Sequence, residues 1–432
     1  MPRKTVNCIV LSALFLTGCL KVEHPSPPAK SHAEPQAKEV AVKVTKPETA
    51  AEPAGNIIPE TGLTDEEIAA GWIALFDGHS LFGWKANNDV NWHVEQGVIK
   101  ADSGKPGLLL TTSPFADYEL KFDFRLTPET NSGVFLRTIF DPKDPVKDCY
   151  ELNLCDQKTE YPTGSLVGRS KIQKPVPASQ EWQSFIVRLE GPKIQASLNG
   201  KEVLNFTDTS ENLRKVGFIG LQKNAGAIEF RKIYLNPLRM STIFNGVDLA
   251  GWRVVPGSKS KFEVVDSTIH VTAEKQGYLE TEETWDNFLF QATAKSNGKA
   301  LNSGYFFRAI EGSEKGMANG YEVQIHNGFK DKDRTKPENA GTGAIFRRTE
   351  ARRVVSNDNE WFTTTLSAYG SHIAVWIDGY QVTDWNDTRK PDENPRKGLR
   401  LKAGHISLQG HDPTTDLNFK DLKVSTLPTE SP

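Results

Sequence analysis

The stretch Phe76-Asp-Gly-His-Ser-Leu-Phe-Gly-Trp84 decides the fold class, because the chain contains it twice. It recurs as Phe244-Asn-Gly-Val-Asp-Leu-Ala-Gly-Trp252. Further landmarks recur in the same order: Asn131-Ser-Gly-Val-Phe-Leu-Arg137 as Asn302-Ser-Gly-Tyr-Phe-Phe-Arg308, Tyr150-Glu-Leu-Asn-Leu154 as Tyr321-Glu-Val-Gln-Ile325, Thr163-Gly-Ser-Leu166 as Thr342-Gly-Ala-Ile345, Glu181-Trp182 as Glu360-Trp361, Asn199-Gly200 as Asp378-Gly379, and Leu221-Gln222 as Leu408-Gln409. An ordered set of repeats indicates two copies of one domain.

The spacing of the landmarks supports the duplication. In both copies 19 residues separate the Asn-Ser-Gly and Tyr-Glu landmarks, and 17 separate the second Trp from the Asn-Gly or Asp-Gly pair. The second copy has eight more residues between Tyr-Glu and Trp, and eight more before Leu-Gln. Insertions confined between landmarks indicate longer loops on a shared frame. We predict domains at 64–237 and 241–427.

Within each copy the apolar residues alternate with polar ones. Tyr118-Glu-Leu-Lys-Phe-Asp-Phe124 is an example, and Asn-Gly or Asp-Gly pairs between such runs favour two-residue hairpin turns. Ten to twelve short strands per copy, without a long helical period, predict an all-β protein of two tandem jelly-roll sandwiches. Thr64-Asp-Glu-Glu67 has the capping-box pattern and predicts a short helix through about Ala70.

The N-terminal residues predict export. Arg3 and Lys4 precede a short apolar run, and Leu16-Thr-Gly-Cys19 resembles the bacterial lipobox, in which the cysteine is lipidated. We therefore expect a signal peptide at 1–18, lipidation of Cys19, and a cell-envelope protein that meets a membrane through its lipid anchor only. Residues 19–63 are rich in Pro, Ala, Lys and Glu, which predicts a disordered tether.

Composition excludes other classes of protein. The 432 residues contain 52 Lys and Arg against 55 Asp and Glu, which argues against nucleic acid as a partner. No apolar run reaches the ~18 residues of a membrane-spanning helix. Cys149 and Cys155 are at opposite ends of a predicted strand, too far apart for a disulfide with each other.

Together, the ordered landmarks resemble the bacterial 3-keto-disaccharide hydrolase domain family, which is related in fold to concanavalin A-like lectins and glucanases. The resemblance covers both copies. It implies a sugar substrate whose C3 is already a ketone. The acidified C2 proton is then removed by a base, the C1 oxygen leaves, and water adds, so that the net reaction is hydrolysis of the glycosidic bond.

The strand through Tyr321 provides the first candidate site residues. Alternation places Tyr321, Val323 and Ile325 on an apolar face and the polar side chains on the opposite face. These polar residues, suited to a hydroxyl-rich ligand, are Glu322, Gln324 and His326 in the second copy and Glu151 and Asn153 in the first. An ordinary solvated strand face is the alternative.

Two more groups complete the candidate set. Arg308 and Arg137 end strands beside aromatic residues, so that Arg308 with Phe306 would suit a sugar ring; structural ion pairs explain the arginines equally well. Gln409 and His411 match a Leu-Gln-x-His ending of the family, and Gln222 is the counterpart of Gln409. The first copy has no histidine there, so we expect activity in the second copy.

The implied mechanism assigns roles to these residues. Glu322 or His326 would be the base, His411 the acid, and Arg308 or a metal ion would stabilise the developing enolate. A divalent metal ion would bind Glu322, His326 and His411 only if their strands are neighbours, and no other cofactor is implied. Alternatives are a pair of carbohydrate-binding modules without catalysis, or a structural surface lipoprotein.

Overall fold

The computed structural model describes residues 54–155, 159–173, 180–211, 213–316 and 319–429. The predicted signal peptide, Cys19 and the tether up to residue 53 lie outside these residues. Within them, no helix combines the length and the apolar character that crossing a membrane requires.

Each copy consists almost entirely of strands. The first contains the helix α1 (Asp65–Ala69) and the strands β1 (Ile73–Ala74), β2 (Trp84–Ala86), β3 (His93–Glu95), β4 (Val98–Ala101), β5 (Gly107–Thr111), β6 (Tyr118–Leu126), β7 (Asn131–Thr138), β8 (Tyr150–Cys155), β9 (Gln183–Glu190), β10 (Lys193–Leu198), β11 (Lys201–Thr207), β12 (Phe218–Ala225) and β13 (Ile228–Pro237). The second contains β14 (Ser241–Thr242), β15 (Trp252–Val254), β16 (Ser260–Val265), β17 (Thr268–Ala273), β18 (Gly277–Thr281), β19 (Phe288–Ser296), β20 (Ser303–Ile310), β21 (Asn319–Ile325), β22 (Trp361–Tyr369), β23 (His372–Ile377), β24 (Tyr380–Asn386), β25 (His405–Gly410) and β26 (Asp416–Thr426).

Each copy folds into an eight-stranded and a five-stranded antiparallel sheet. The five-stranded sheets have the orders β2-β5-β12-β7-β8 and β15-β18-β25-β20-β21, which correspond strand for strand. The eight-stranded sheets are β11-β10-β9-β6-β13-β4-β3 with β1 on β13, and β16-β17-β26-β19-β22-β23-β24 with β14 on β26. The prediction of an all-β protein made of two tandem sandwiches is confirmed.

The apolar face of each strand packs between the two sheets. Tyr321, Val323 and Ile325 belong to the core of the second sandwich. Their counterparts Tyr150 and Leu152 belong to the core of the first. Alternation along the strand therefore predicted the buried face correctly.

The predicted turns and the helix start are also present. Asn199-Gly200 has φ values of 49° and 78°, and Asp378-Gly379 has 47° and 75°. Two successive positive φ values are the geometry that the two-residue hairpin turn needs. Thr64 and Glu67 form the reciprocal capping box of α1.

Ordered chain begins before Thr64, earlier than the sequence indicated. Arg353 donates from Nη1 to the carbonyl oxygens of Ala54 and Ile57 at 3.1 and 2.7 Å. Arg353 is itself 1% exposed, so the second sandwich fixes residues 54–57 with a buried cation. Backbone carbonyls, which the composition argument ignores, provide this contact.

The two sandwiches pack against each other within one compact unit. Trp376 of the second copy lies in the core of the first, and its indole N–H donates to the carbonyl of Ala74 at 3.1 Å. Two polar contacts border it: Arg352 pairs with Asp77 at 2.9 Å, and Thr112 donates to Asp384 at 2.7 Å.

Candidate functional site

The polar face of the second five-stranded sheet lies opposite its core. Gln409, Gly304 and Gln324 are neighbours across β25, β20 and β21, and Ser407, Phe306 and Glu322 form the next row. Between these rows, Leu408, Tyr305 and Val323 point into the core. Residues from three separate strands are thereby gathered on one surface, which we call the polar face.

A cavity of about 310 Å³ opens on the polar face. Its wall contains charged, amide and aromatic groups, the mixture that a hydroxyl-rich ligand requires. The lining residues are Gln276, Asn302, Glu322, Phe346, Arg347, Arg396, Gln409 and His411. Three of them, Glu322, Gln409 and His411, were predicted as site residues.

Glu322 is 4% exposed and uses its two oxygens differently. Oε2 accepts a hydrogen bond from Nη2 of Arg396 at 2.8 Å, whereas Oε1 has no hydrogen-bond partner among the described residues. Burial raises the pKa of Glu322, and the nearby Arg396, His411 and Arg347 offset this only in part. One oxygen is therefore fixed, and the other is available to take a proton.

Two side-chain amides leave buried acceptors beside Glu322. Nε2 of Gln324 donates to Asn302 at 2.9 Å, and Nε2 of Gln409 donates to the hydroxyl of Tyr278 at 3.2 Å. The Oε1 atoms of both glutamines are buried without a partner in the described part of the chain. A buried acceptor without a partner is costly. Gln409 lines the cavity, whereas Gln324 is not among its lining residues.

His411 is at the rim of the cavity. Its Nδ1 lies 2.8 Å from a carboxylate oxygen of Asp412, and its side chain is 39% exposed. The carboxylate orients the ring. Nε2 remains as the nitrogen without a partner among the described residues.

Arg308 and Arg137 lie away from the cavity, and their guanidinium groups are bound by other groups of the protein. Arg308 is 0% exposed and donates to the backbone carbonyls of Asp286 and Gly370, both at 2.7 Å. Arg137 likewise donates to backbone carbonyls and pairs with Asp117 at 2.7 Å. Their guanidinium groups are not available to a ligand in this cavity, so neither is part of the site proposed below.

Phe306 and His326 have intermediate positions. Phe306 is on the polar face beside Glu322, but it is fully buried beneath the guanidinium of Arg396, 4.9 Å from the ring centre. His326 follows the end of β21, and its Nδ1 lies 3.2 Å from the carbonyl of Leu301. It is not among the residues that line the cavity.

The first copy retains the floor of this site. Asn153 and Gln222 lie beside Gly133, just as Gln324 and Gln409 lie beside Gly304, and Glu151 lies opposite Phe135. Burial raises the pKa of Glu151 to about 7, although a hydrogen bond with Gln222 opposes this shift.

The walls of the site differ between the copies. At the positions of Arg347 and His411 the first copy has Gly168 and Asn224. Arg396 has no counterpart, because it lies in the longer connection between β24 and β25. The first copy therefore has the carboxylate and the amides without the cationic groups around them.

The two arginines of the cavity wall, Arg347 and Arg396, were not predicted from the sequence. Arg396 lies in the region of one eight-residue insertion of the second copy. That insertion was the feature of the sequence that could have pointed to Arg396. Arg347 follows the repeated Thr-Gly-Ala-Ile landmark, where the copies differ by Gly and Arg. Comparing the two copies position by position would have identified it.

No group of three or more His, Cys, Asp or Glu side chains comes together as a metal-ligand cluster within the described ranges. Glu322 and His411 share the cavity, whereas His326 is outside it. No ligand set for the divalent ion is therefore evident among the described residues.

One known protein family matches both sandwiches of the chain. The model of the 3-keto-alpha-glucoside-1,2-lyase-like domain matches residues 71–236 and again residues 239–425, once on each sandwich. The chain belongs to this family. Membership of this carbohydrate-active family confirms the resemblance carried by the landmarks.

A curated relative and two solved structures are similar to parts of the chain. The 3-keto-disaccharide hydrolase of Bacteroides thetaiotaomicron is 31% identical over 114 residues, which are 24% of this chain and 37% of that relative. A Parabacteroides distasonis structure, solved as a candidate glycosyl hydrolase, has a TM-score of 0.37 at 23% identity and covers 41% of this chain and 98% of its own. The carbohydrate-binding module CBM66 of Bacillus subtilis has a TM-score of 0.29 at 14% identity and covers 36% and 95%.

Proposed function

We propose that the second sandwich cleaves the glycosidic bond of 3-keto-glycosides by elimination followed by addition of water. The observation that carries this proposal is the state of Glu322. A buried carboxylate of raised pKa, held at one oxygen and available at the other, has the properties of a general base in a cavity sized for a sugar. Family membership and the Bacteroides relative point to the same substrate class.

The reaction can be written with the residues of the cavity. Oε1 of Glu322 takes the proton from C2, and the electron pair of the C2–H bond forms a C2–C3 double bond as the C3 carbonyl becomes an enolate. When the carbonyl re-forms, a C1–C2 double bond replaces the C1–O bond, and protonated His411 gives its proton to the departing oxygen. Water then adds its hydroxyl to C1 and gives its proton to His411, and Glu322 returns a proton to C2, which completes a net hydrolysis and restores both residues.

The two amides explain how the sugar would be held. The unpartnered oxygen of Gln409 would accept a hydrogen bond from a hydroxyl of the ring, and Gln324 would hold Asn302, another residue of the cavity wall, through its Nε2 donor. Gly304 between the two glutamines has no side chain, which leaves room for the Glu322 carboxylate: a Cβ at Gly304 would lie 3.2 Å from its Oε1. These contacts would place C2 near Glu322, since both rows of the polar face are adjacent.

The test uses the full chain with a 3-keto disaccharide and its unoxidised parent. We expect product from the keto form only, and loss of activity by a factor of 10² or more in Glu322→Gln, because the general base is removed. Glu151→Gln is the matched control in the first copy and is expected to retain activity. Equal cleavage of both sugars, or a Glu322→Gln variant with full activity, would contradict the proposal.

The first sandwich has a second candidate function. Because it keeps Glu151, Asn153 and Gln222 but has Gly168 and Asn224 in place of the cationic wall, we propose that it binds glycan without cleaving it. Titration calorimetry of the Glu322→Gln, Gln409→Ala chain with the same disaccharide would measure binding outside the second site. Absence of heat in that variant would argue against a binding module and favour a structural role for the first copy.

We also propose that the protein is exported and lipid-anchored at Cys19 on the cell envelope. This proposal is supported by the basic start, the apolar run and the Leu-Thr-Gly-Cys motif. A Cys19→Ser chain is expected to move from the membrane fraction to the soluble fraction. Unchanged membrane association would contradict the anchor.

A further inference from the structure

Arg347 is a cation of the cavity wall whose charge is not neutralised by an ion pair. Its guanidinium has no ion pair and no hydrogen bond in the described part of the chain, and its near neighbour is the ring of Phe346 at 5.3 Å. The other arginines at this point are engaged: Arg396 pairs with Glu322, and Arg348 donates to the carbonyl of Arg396. Arg347 therefore adds a net positive charge to a partly enclosed space.

The backbone at Arg347 is in the left-handed region. Its φ is +62°, and the equivalent Gly168 of the first copy has a φ of +71°. Glycine adopts this conformation freely, whereas a residue with a side chain is sterically disfavoured in it. The second copy thus tolerates strain at a position where glycine fits, and the arginine gained by that strain lines the cavity.

The proposed reaction requires a cation that the residues considered so far do not supply. Negative charge develops on the C3 oxygen as the C2 proton leaves, and a group placed to receive that charge lowers the barrier. Arg308 is buried elsewhere, and Arg396 is occupied by Oε2 of Glu322. Arg347 lines the same cavity and is near enough to affect the ionisation of Glu322.

We propose that Arg347 is a catalytic residue that binds the C3 oxygen of the keto sugar and stabilises the enolate. This inference rests on the proposed function. The proton moves from C2 to Glu322, the electron pair moves through C2–C3 to the carbonyl oxygen, and Arg347 donates hydrogen bonds to that oxygen without losing a proton. His411 serves the leaving oxygen, so the two groups act at opposite ends of the elimination.

The experiment measures deuterium incorporation at C2 and product release from a 3-keto disaccharide, with the full chain in D₂O. Arg347→Gly is the main variant, because the first copy shows that glycine suits this backbone. We expect the rate of C2 exchange and kcat to fall by a factor of about 10² to 10³, with KM changed much less, since the charge develops only in the transition state. Arg347→Lys keeps the positive charge but loses the planar guanidinium with its paired N–H donors. We expect its rates to lie between those of the wild type and Arg347→Gly.

The control is Lys332→Gly, which also replaces a positively charged residue of positive φ (+57°) by glycine, but on an exposed loop. It is expected to match the wild type. Rates are compared on the plateau above the pKa of Glu322, because removing Arg347 also raises that pKa. An Arg347→Gly chain with wild-type exchange would overturn this inference alone; a wild-type chain without C2 exchange or cleavage would overturn the proposed function and this inference with it.

Discussion

At the scale of single residues, the ion pair between Arg396 and Glu322 and the burial of the carboxylate together set the pKa of Glu322. Burial disfavours the charged carboxylate, and the guanidinium at 2.8 Å favours it. The net pKa of Glu322 is above its ordinary value, so the protein holds a base that is stronger than an exposed glutamate. Removing the guanidinium would therefore raise the pKa of Glu322 further.

We predict that Arg396→Met moves the acidic limb of the pH profile of kcat/KM to higher pH. The carboxylate form is the active one, so the rate is lost as the pH falls through the pKa of Glu322, and that pKa rises when its partner is removed. Lys397→Met removes an exposed charge next along the same loop and is the control. An acidic limb that stays in place would show that Arg396 does not set the ionisation of the base.

Glu151 allows a test in the first copy that does not depend on activity. Its folded pKa of about 7 is above the ordinary value of 4.5, so the folded state prefers the protonated acid. The contribution of protonated Glu151 to the free energy of unfolding is fully present below about pH 4.5 and is lost as the pH rises through 7. We predict that Glu151→Gln matches the wild type near pH 5 and exceeds it at pH 8, by on the order of 2 kcal/mol. Equal pH dependence of unfolding in both proteins would contradict the assignment.

At the scale of elements, β20 and β21 position Glu322 through a glycine. A methyl group on Gly304 would lie 2.9 Å from the carbonyl oxygen of Val323 and 3.0 Å from Cγ of Glu322. Real side chains do not approach that closely, so either the strand or Glu322 would have to move.

We predict that Gly304→Ala lowers activity by a factor of ten or more and destabilises the second sandwich by about 1 to 3 kcal/mol. Steady-state kinetics and denaturant unfolding measure both effects. Gly133→Ala is the matched control, since it introduces the same methyl group beside Glu151, at 3.2 Å, in the first copy. Loss of activity in Gly133→Ala would contradict the assignment of catalysis to the second copy.

The strands were predictable, and the position of Arg308 was not. Alternation along β8 and β21 identified the core face and the polar face, because both strands are regular. Alternation along β20 failed at Arg308, because the pairing with β25 shifts between Phe306 and Ala309 and the φ of Arg308 is +45°. A bulge re-aims the side chain. The loop that carries Arg396 has no periodicity, so its contact with Glu322 depends on tertiary structure alone.

At the scale of the whole molecule, one tryptophan joins the two cores. Trp376 is 2% exposed and packs in the core of the first sandwich although it belongs to the second. Phe115 of the first copy lies 6.4 Å from its ring centre. The sequence contains no periodic signal for such a contact, because it joins two complete domains.

We predict that the two sandwiches unfold in a single calorimetric transition, and that Trp376→Ala destabilises the chain by about 3 to 5 kcal/mol or splits the transition in two. Trp361→Ala deletes a side chain of the same size at a position that is 41% exposed, and is expected to cost about 1 kcal/mol or less. Two separate transitions in the wild type would show that the sandwiches fold independently of their contact.

The contact between the copies joins two different surfaces, and such a head-to-tail arrangement could in principle be repeated without end. Asp77 and Thr112 of the first copy meet Arg352 and Asp384 of the second. At the positions of Asp77 and Thr112, the second copy has Asn245 and Glu282. A further copy added in the same way would lose the ion pair and bring Glu282 against another carboxylate. Heterologous contacts of this kind can propagate into open assemblies, and these two exchanges disfavour a second contact of the same kind on the second copy.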